Sequence, residues 1–184
     1  MPRRSRLIAL VLTLSVAASA CGDDGDDDVI RLGNDTDATS LDDVQVEADP
    51  DTDIDITYAT FDGGEANLTD FAGTPLVVNF FASWCASCVS EMPDFDAVAS
   101  NRADEIVVLG LSEDVRAEDS LKLIEQTGIG YPTGWDPDGA VFGRFGAFAM
   151  PTTVFITADG TVAHVFSGAL DTESLDSLID EFLV

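Results

Sequence analysis

Cations are scarce in this chain: its 184 residues hold eight Lys and Arg and a single His, His164, against thirty-five Asp and Glu. At a formal charge of -27 the chain repels phosphate, which excludes nucleic acid as a partner. Cysteine is scarce too, and its odd count of three leaves one thiol outside any internal pair. Zinc would need two ligands beyond Cys85 and Cys88, and one His with no second cysteine pair supplies them poorly. No metal, nucleotide or organic cofactor motif is visible, so no cofactor is expected. Long apolar runs are also missing, because the stretch from Leu7 to about Ala18 falls short of the roughly 20 residues that span a bilayer.

What that stretch does have is an export pattern: Arg3, Arg4 and Arg6 precede it and the small residues Ala18-Ser19-Ala20 end it, directly before Cys21. The junction resembles the lipobox of bacterial lipoproteins, with Ala18 where that signal usually has Leu. The resemblance implies a signal peptide over 1–20, lipidation of Cys21, and a protein held outside the cytoplasm on the cell membrane. From 21 to 53 the chain is rich in Asp, Gly, Thr and Ser, so like charges repel and little apolar surface offsets the entropy of ordering. That segment is expected to be a disordered acidic tether, reaching on the order of 30 Å if flexible.

One globular domain is expected over 54–184. Ile54 to Phe61, the turn Asp62-Gly63-Gly64 and Glu65-Ala66-Asn67 read as an opening hairpin, and Leu68 to Phe71 as a short helical turn. Leu76-Val77-Val78-Asn79-Phe80-Phe81 is the nearly unbroken apolar run of a strand covered on both faces, and Ile106 to Leu111 is a second. Between them Cys88, Met92, Phe95 and Ala99 recur at helical spacing, with Pro93 expected to kink the helix. A helix over Ala117 to Gln126, presenting Leu121 and Ile124, stops at Gly128. Thr153 to Ile156 and Val162 to Phe166 flank Asp159-Gly160, a hairpin signal, and Leu175, Leu178, Ile179 and Phe182 mark a closing amphipathic helix.

The chemistry centres on Trp84-Cys85-Ala86-Ser87-Cys88. Two cysteines at the start of a helix place the first where free backbone N–H groups and the helix dipole favour a thiolate. Such a thiolate attacks a partner's disulfide, and Cys88, one turn on, resolves the mixed disulfide; run backwards, the pair oxidises. A structural disulfide or half a zinc site uses the same spacing. Glu91, three residues past Cys88, shares its helical face and could accept a proton from the thiols.

Over roughly 57–184 the chain resembles the TlpA/ResA branch of the thioredoxin superfamily. The residues that carry this are Gly73 to Cys85, then Cys88, Glu91-Met92-Pro93, Met150-Pro151-Thr152-Thr153 and Asp159-Gly160. The resemblance implies an α/β, thioredoxin-like fold, a central mixed sheet flanked by helices with the hairpin as an N-terminal extension. It further implies a redox-active Cys85/Cys88 pair and a cis Pro151 lying against it. Trp84 would shield the site, and Met150 would offer backbone to an extended substrate. Asn79 stands where thioredoxin has a buried Asp, which leaves Glu91 as the nearest carboxylate.

The reading is a thiol-disulfide oxidoreductase that reduces disulfides in exported proteins, apocytochrome c first among them by resemblance. Its partners would be protein disulfides or dithiols and a membrane electron donor or acceptor. Rival readings are an oxidant of folding exported proteins, and a Cu(I) metallochaperone. Copper-delivery proteins of this fold, however, separate their cysteines by three residues and use a histidine. A peroxidase reading is weaker, because Ala82 stands where peroxiredoxins have Thr.

Overall fold

The computed structural model describes residues 45–46 and 48–184. Its elements are β1 (Gln45–Val46), β2 (Thr57–Ala59), β3 (Glu65–Asn67), a 3-10 turn (Leu68–Phe71), β4 (Leu76–Phe81), α1 (Ala86–Asn101) and β5 (Val107–Ser112). There follow α2 (Ala117–Thr127), β6 (Thr133–Trp135), α3 (Ala140–Arg144), β7 (Thr152–Ile156), β8 (Val162–Ser167) and α4 (Thr172–Phe182). They form one mixed sheet in the order β1-β8-β7-β4-β5-β6-β2-β3. Strands β4, β5 and β6 run parallel, β7 is antiparallel beside β4, and β8 is antiparallel beside β7. This is the thioredoxin-like arrangement expected, with the β2–β3 hairpin added at the far edge.

Every residue of β4 is buried, which is why its sequence is apolar without alternation. Successive side chains still leave on opposite faces. Val77, with Val108 and Phe155, meets Met92 and Phe95 of α1, Leu123 of α2, and Leu175 and Ile179 of α4. Val78 and Phe80, with Leu109 and Val154, meet Ile56, Tyr58, Leu68, Val141 and Phe145 on the other face. Phe80, Phe81, Phe95 and Phe155 are fully buried, each contributing roughly 1.5–3 kcal/mol over exposure. Phe81 and the Tyr131 ring close over Gly110, where a Cβ would stand 3.0 Å from the one and 2.9 Å from the other, so the strand needs glycine there.

Three differences from the sequence reading have physical causes. Strand β1 pairs with β8 inside the stretch assigned to the tether, and Ala48 packs on the core, so ordered chain begins before 54. The signal segment, Cys21 and most of the acidic stretch lie outside the described residues. Helix α1 is continuous through Pro93, whose missing N–H costs only the bond to Val89. Helix α2 buries Ser120 and Leu123 while Leu121 is exposed, because the Ser120 hydroxyl is drawn inward by Asp114 and Ser112. Gly128 ends that helix in the left-handed conformation at φ 70°, as its glycine implied.

Two of the scarce titratable cations and rings seat the last helix. Arg102, at the end of α1, reaches Glu105, Asp176 and Asp180, joining α1 to α4. His164 stacks on Phe182, ring centroids 4.3 Å apart and planes nearly parallel, and burial holds its pKa below the usual value. It lies in β8, and none of its contacts involves the cysteines.

Candidate active site

Strands β4 and β5 are parallel and in register, Phe81 opposite Ser112, so their C-terminal ends deliver two loops to one place. One is Ala82-Ser83-Trp84-Cys85, leading into α1, and the other is Glu113-Asp114. Cys85 is the N-cap of α1 and is joined to Cys88 by a disulfide. The Cys88 amide donates to Cys85 Sγ at 3.2 Å, one of the free helix-start donors that favour negative charge on that sulfur. No acid lies in the first turn of α1, an omission that matters in so acidic a chain. Cys85 is 6% exposed and Cys88 0%, so attack from outside can fall only on the first sulfur.

A groove of about 860 Å³ opens beside Cys85. Trp84, Phe142, Phe148 and Met150 give it apolar walls, and Glu113 and Asp138 an acidic side. Trp84 and Phe148 are 67% and 63% exposed, large apolar faces offered to solvent on either flank of the sulfur. The Met150–Pro151 peptide is cis, and Ala149 and Met150 line the groove. The structure therefore brings Trp84, Cys85 and Met150 together around one groove.

Glu91 stands apart from that groove, on the inner side of α1 one turn beyond Cys88. It is 2% exposed; Oε1 accepts from Asn79 Nδ2 at 2.9 Å and Oε2 from the Leu170 amide at 3.0 Å. Burial pushes its carboxyl up to about 7, against the pull of those two hydrogen bonds. Asn79, the residue in place of a strand carboxylate, thus holds the carboxylate that α1 supplies. The fold binds the Glu91 proton more tightly than the unfolded chain does, since an ordinary carboxyl here is 4.5. Its contribution to stability is therefore complete below about pH 4.5 and falls as pH rises to about 7, by on the order of 3 kcal/mol. Glu91→Gln is expected to abolish this fall, measured as a thermal midpoint that changes less between pH 5 and 7.5 than that of the unsubstituted protein.

Two acids that the sequence reading passed over complete the site. Asp114 is 3% exposed and accepts from the Ser83 amide (3.1 Å), the Ser83 hydroxyl (2.8 Å), Ser112 Oγ (3.2 Å) and Ser120 Oγ (3.2 Å). Its backbone carbonyl takes Trp135 Nε1 at 2.6 Å. The turn that presents Trp84 and Cys85 is thereby tied to β5, α2 and β6. Glu113 faces the groove, with Oε1 buried and unpartnered among the described residues, and burial together with Asp136 pushes its carboxyl up to about 9. The one sequence signal for this pair is position, directly after a buried parallel strand, where α/β sheets carry their sites.

Residues 50–165 match the AhpC/TSA family. The chain is 25% identical over 181 residues to the thiol-disulfide oxidoreductase ResA of Oceanobacillus iheyensis, a match covering 97% of this chain and 86% of that one. It is 34% identical over 109 residues to the thiol:disulfide interchange protein DsbE of Xylella fastidiosa, covering 59% and 54%. Among solved structures it resembles the exposed lipoprotein thioredoxin of Streptococcus pneumoniae, at 25% identity and a TM-score of 0.59, over 70% of this chain and 99% of that one.

Proposed function

The chain belongs to the AhpC/TSA family, and from that membership and the cysteine pair at the groove we propose a thiol-disulfide oxidoreductase that works as a reductant of disulfides in exported proteins. Cys85 is the attacking sulfur, Cys88 the resolving one, and Glu91 the acid/base partner of Cys88. Pro151 and Met150 shape the edge along which an extended substrate lies, with Trp84 on its flank. The named activities of the ResA and DsbE relatives support the reaction class.

The observation that carries the direction is the charge around the pair. An oxidant of this fold stabilises its reduced form by making the thiolate comfortable. Here Glu113 and Asp138 line the groove beside Cys85, and no Lys or Arg among the described residues does. Burial and Asp136 push the Glu113 carboxyl up to about 9, so negative charge is resisted at the groove, and this opposes the single amide that the helix start directs at the Cys85 sulfur. A thiolate disfavoured by its neighbours gives up its electrons more readily, which lowers the potential of the couple. Apocytochrome c is the substrate class that family resemblance offers first.

Such a reductant needs electrons from outside its own compartment. Export by the segment over 1–20, lipid attachment at Cys21, the acidic stretch as tether and a membrane protein as donor complete the proposal, and the lipoprotein among the structural relatives supports it. The test is the potential of the Cys85/Cys88 couple in the full-length chain, titrated in thiol-disulfide buffers with an alkylation readout. A value near thioredoxin's, about -270 mV or lower, is expected, and one near about -120 mV overturns the reductant reading in favour of an oxidant.

A further inference from the structure

Glu91 touches two different surroundings. Its carboxylate accepts hydrogen bonds from Asn79 and the Leu170 amide, while Glu91 also lines a second cavity of about 270 Å³ between α1 and α4. That cavity is walled by Ser90, Asp94, Ala169, Leu170, Asp171 and Ser174, and shares no lining residue with the substrate groove. Ser90, Ala169, Asp171 and Ser174 are exposed, so its mouth lies open to water. Asp94 is oriented there by the Thr172 hydroxyl, which donates to Oδ1 at 2.6 Å.

The second step of exchange gives this cavity a use. Cys85 Sγ carries the substrate sulfur at that stage, so the groove is occupied, and Cys88 is wholly buried. Its thiol must lose a proton before its sulfur can attack, and that proton has no path past the substrate. Resting on the reading of Glu91 as the base for Cys88, we propose that the α1–α4 cavity is the proton port of the reaction. Through it Glu91 exchanges protons with water by a route that shares no lining residue with the substrate groove.

The reducing half-reaction then balances. The Cys85 thiolate attacks the substrate disulfide, forming the mixed disulfide and releasing one substrate thiolate. Cys88 gives its proton to the Glu91 carboxylate as its sulfur bonds to Cys85 Sγ. The bond from Cys85 to substrate breaks, and the electron pair leaves with the second substrate sulfur. Two electrons have passed from the dithiol to the substrate disulfide. Glu91 then returns its proton to water through the port, and the substrate thiolates take protons from solvent. The acids facing Glu91 are Asp94 on α1 and Asp171 at the head of α4. Tyr131, near enough to feel its charge, faces it from the segment before β6.

The port can be plugged without touching Glu91, its two hydrogen-bond donors or the groove. Ser174→Leu fills the cavity from α4 and Ser90→Leu from α1, while Ser177→Leu places the same side chain one turn further along α4, outside the cavity. The full-length chain, reduced and desalted, is mixed with oxidised glutathione in a single turnover, and the mixed disulfide is followed by acid quench and intact mass. Both plugs are expected to leave its formation rate unchanged and to slow its decay at least about tenfold at pH 7. Decay within twofold of the unsubstituted protein in the folded plug variants overturns the port, as does an equal slowing by Ser177→Leu. If one plug fails to fold, the other, on the opposite wall, decides. Failure of the unsubstituted chain to form or resolve any mixed disulfide would instead overturn the parent functional reading.

Discussion

Cys88→Ser is expected to yield a protein that captures disulfide substrates and cannot release them. The first attack needs only Cys85, which sits at the N-terminus of α1 with the Cys88 amide directed at its sulfur, and that amide survives the substitution. Release needs a second sulfur within bonding distance, and among the described residues Cys88 is the one that supplies it. Turnover should fall by about three orders of magnitude or more, while a stable covalent adduct accumulates and is read as an added mass that dithiothreitol removes. Cys85→Ser is expected to be equally inactive and to trap nothing, because Cys88 is fully buried and no substrate sulfur reaches it. The two variants thus separate the attacking from the resolving role, which loss of activity alone does not. Adduct on Cys85→Ser, or none on Cys88→Ser, would reverse or dissolve the assignment.

The parts of this fold that were legible in the sequence are those whose local pattern and tertiary role agree. Strand β4, the helix after it and the β7–β8 hairpin are long, strongly patterned and buried as their composition demands. Strand β6 was not legible, being three residues long with Gly134 at its centre and Pro132 before it; β5 on one side and β2 on the other make it a strand. Helix α3 is five residues behind a glycine N-cap, too short for any period to declare itself. In α2 Ile124 packs against the core as its spacing with Leu121 suggests, but Leu121 itself is exposed and the inward position goes to Ser120, whose hydroxyl Asp114 accepts.

The site divided along the same line. Cys85, Cys88 and Glu91 stand in a spacing that has chemical meaning before any fold is known, and Pro151 is added by the family resemblance. Glu113 and Asp114 are two acids among thirty-five, about thirty positions from the cysteines, and nothing local distinguishes them from solvated surface. What distinguishes them is burial beside the Cys85 turn, a property of β4 and β5 being adjacent and parallel. A chain this rich in acid hides its functional carboxyls by abundance, and only the few denied water become visible.

Asp114→Ala is therefore the substitution expected to cost most outside the cysteines. The alanine removes the acceptor of the Ser83 amide and of three hydroxyls, while Ser112 and Ser120 keep their bond to each other. The lost charge-assisted hydrogen bonds of a buried carboxylate, with the space it vacates, amount to about 3 kcal/mol. For a domain of this size that is a fall in thermal midpoint of about 10 °C, measured by calorimetry. The loss should extend to chemistry, because Ser83 is two residues before Cys85 and the bonds it forfeits fix the turn against β5. The potential of the couple is expected to rise in Asp114→Ala as the turn loosens and water reaches the thiolate, while Asp114→Asn, which keeps two of the acceptor positions, should recover part of the stability. A variant that melts with the unsubstituted protein would show that the serines hold the turn on their own and that the carboxylate is dispensable.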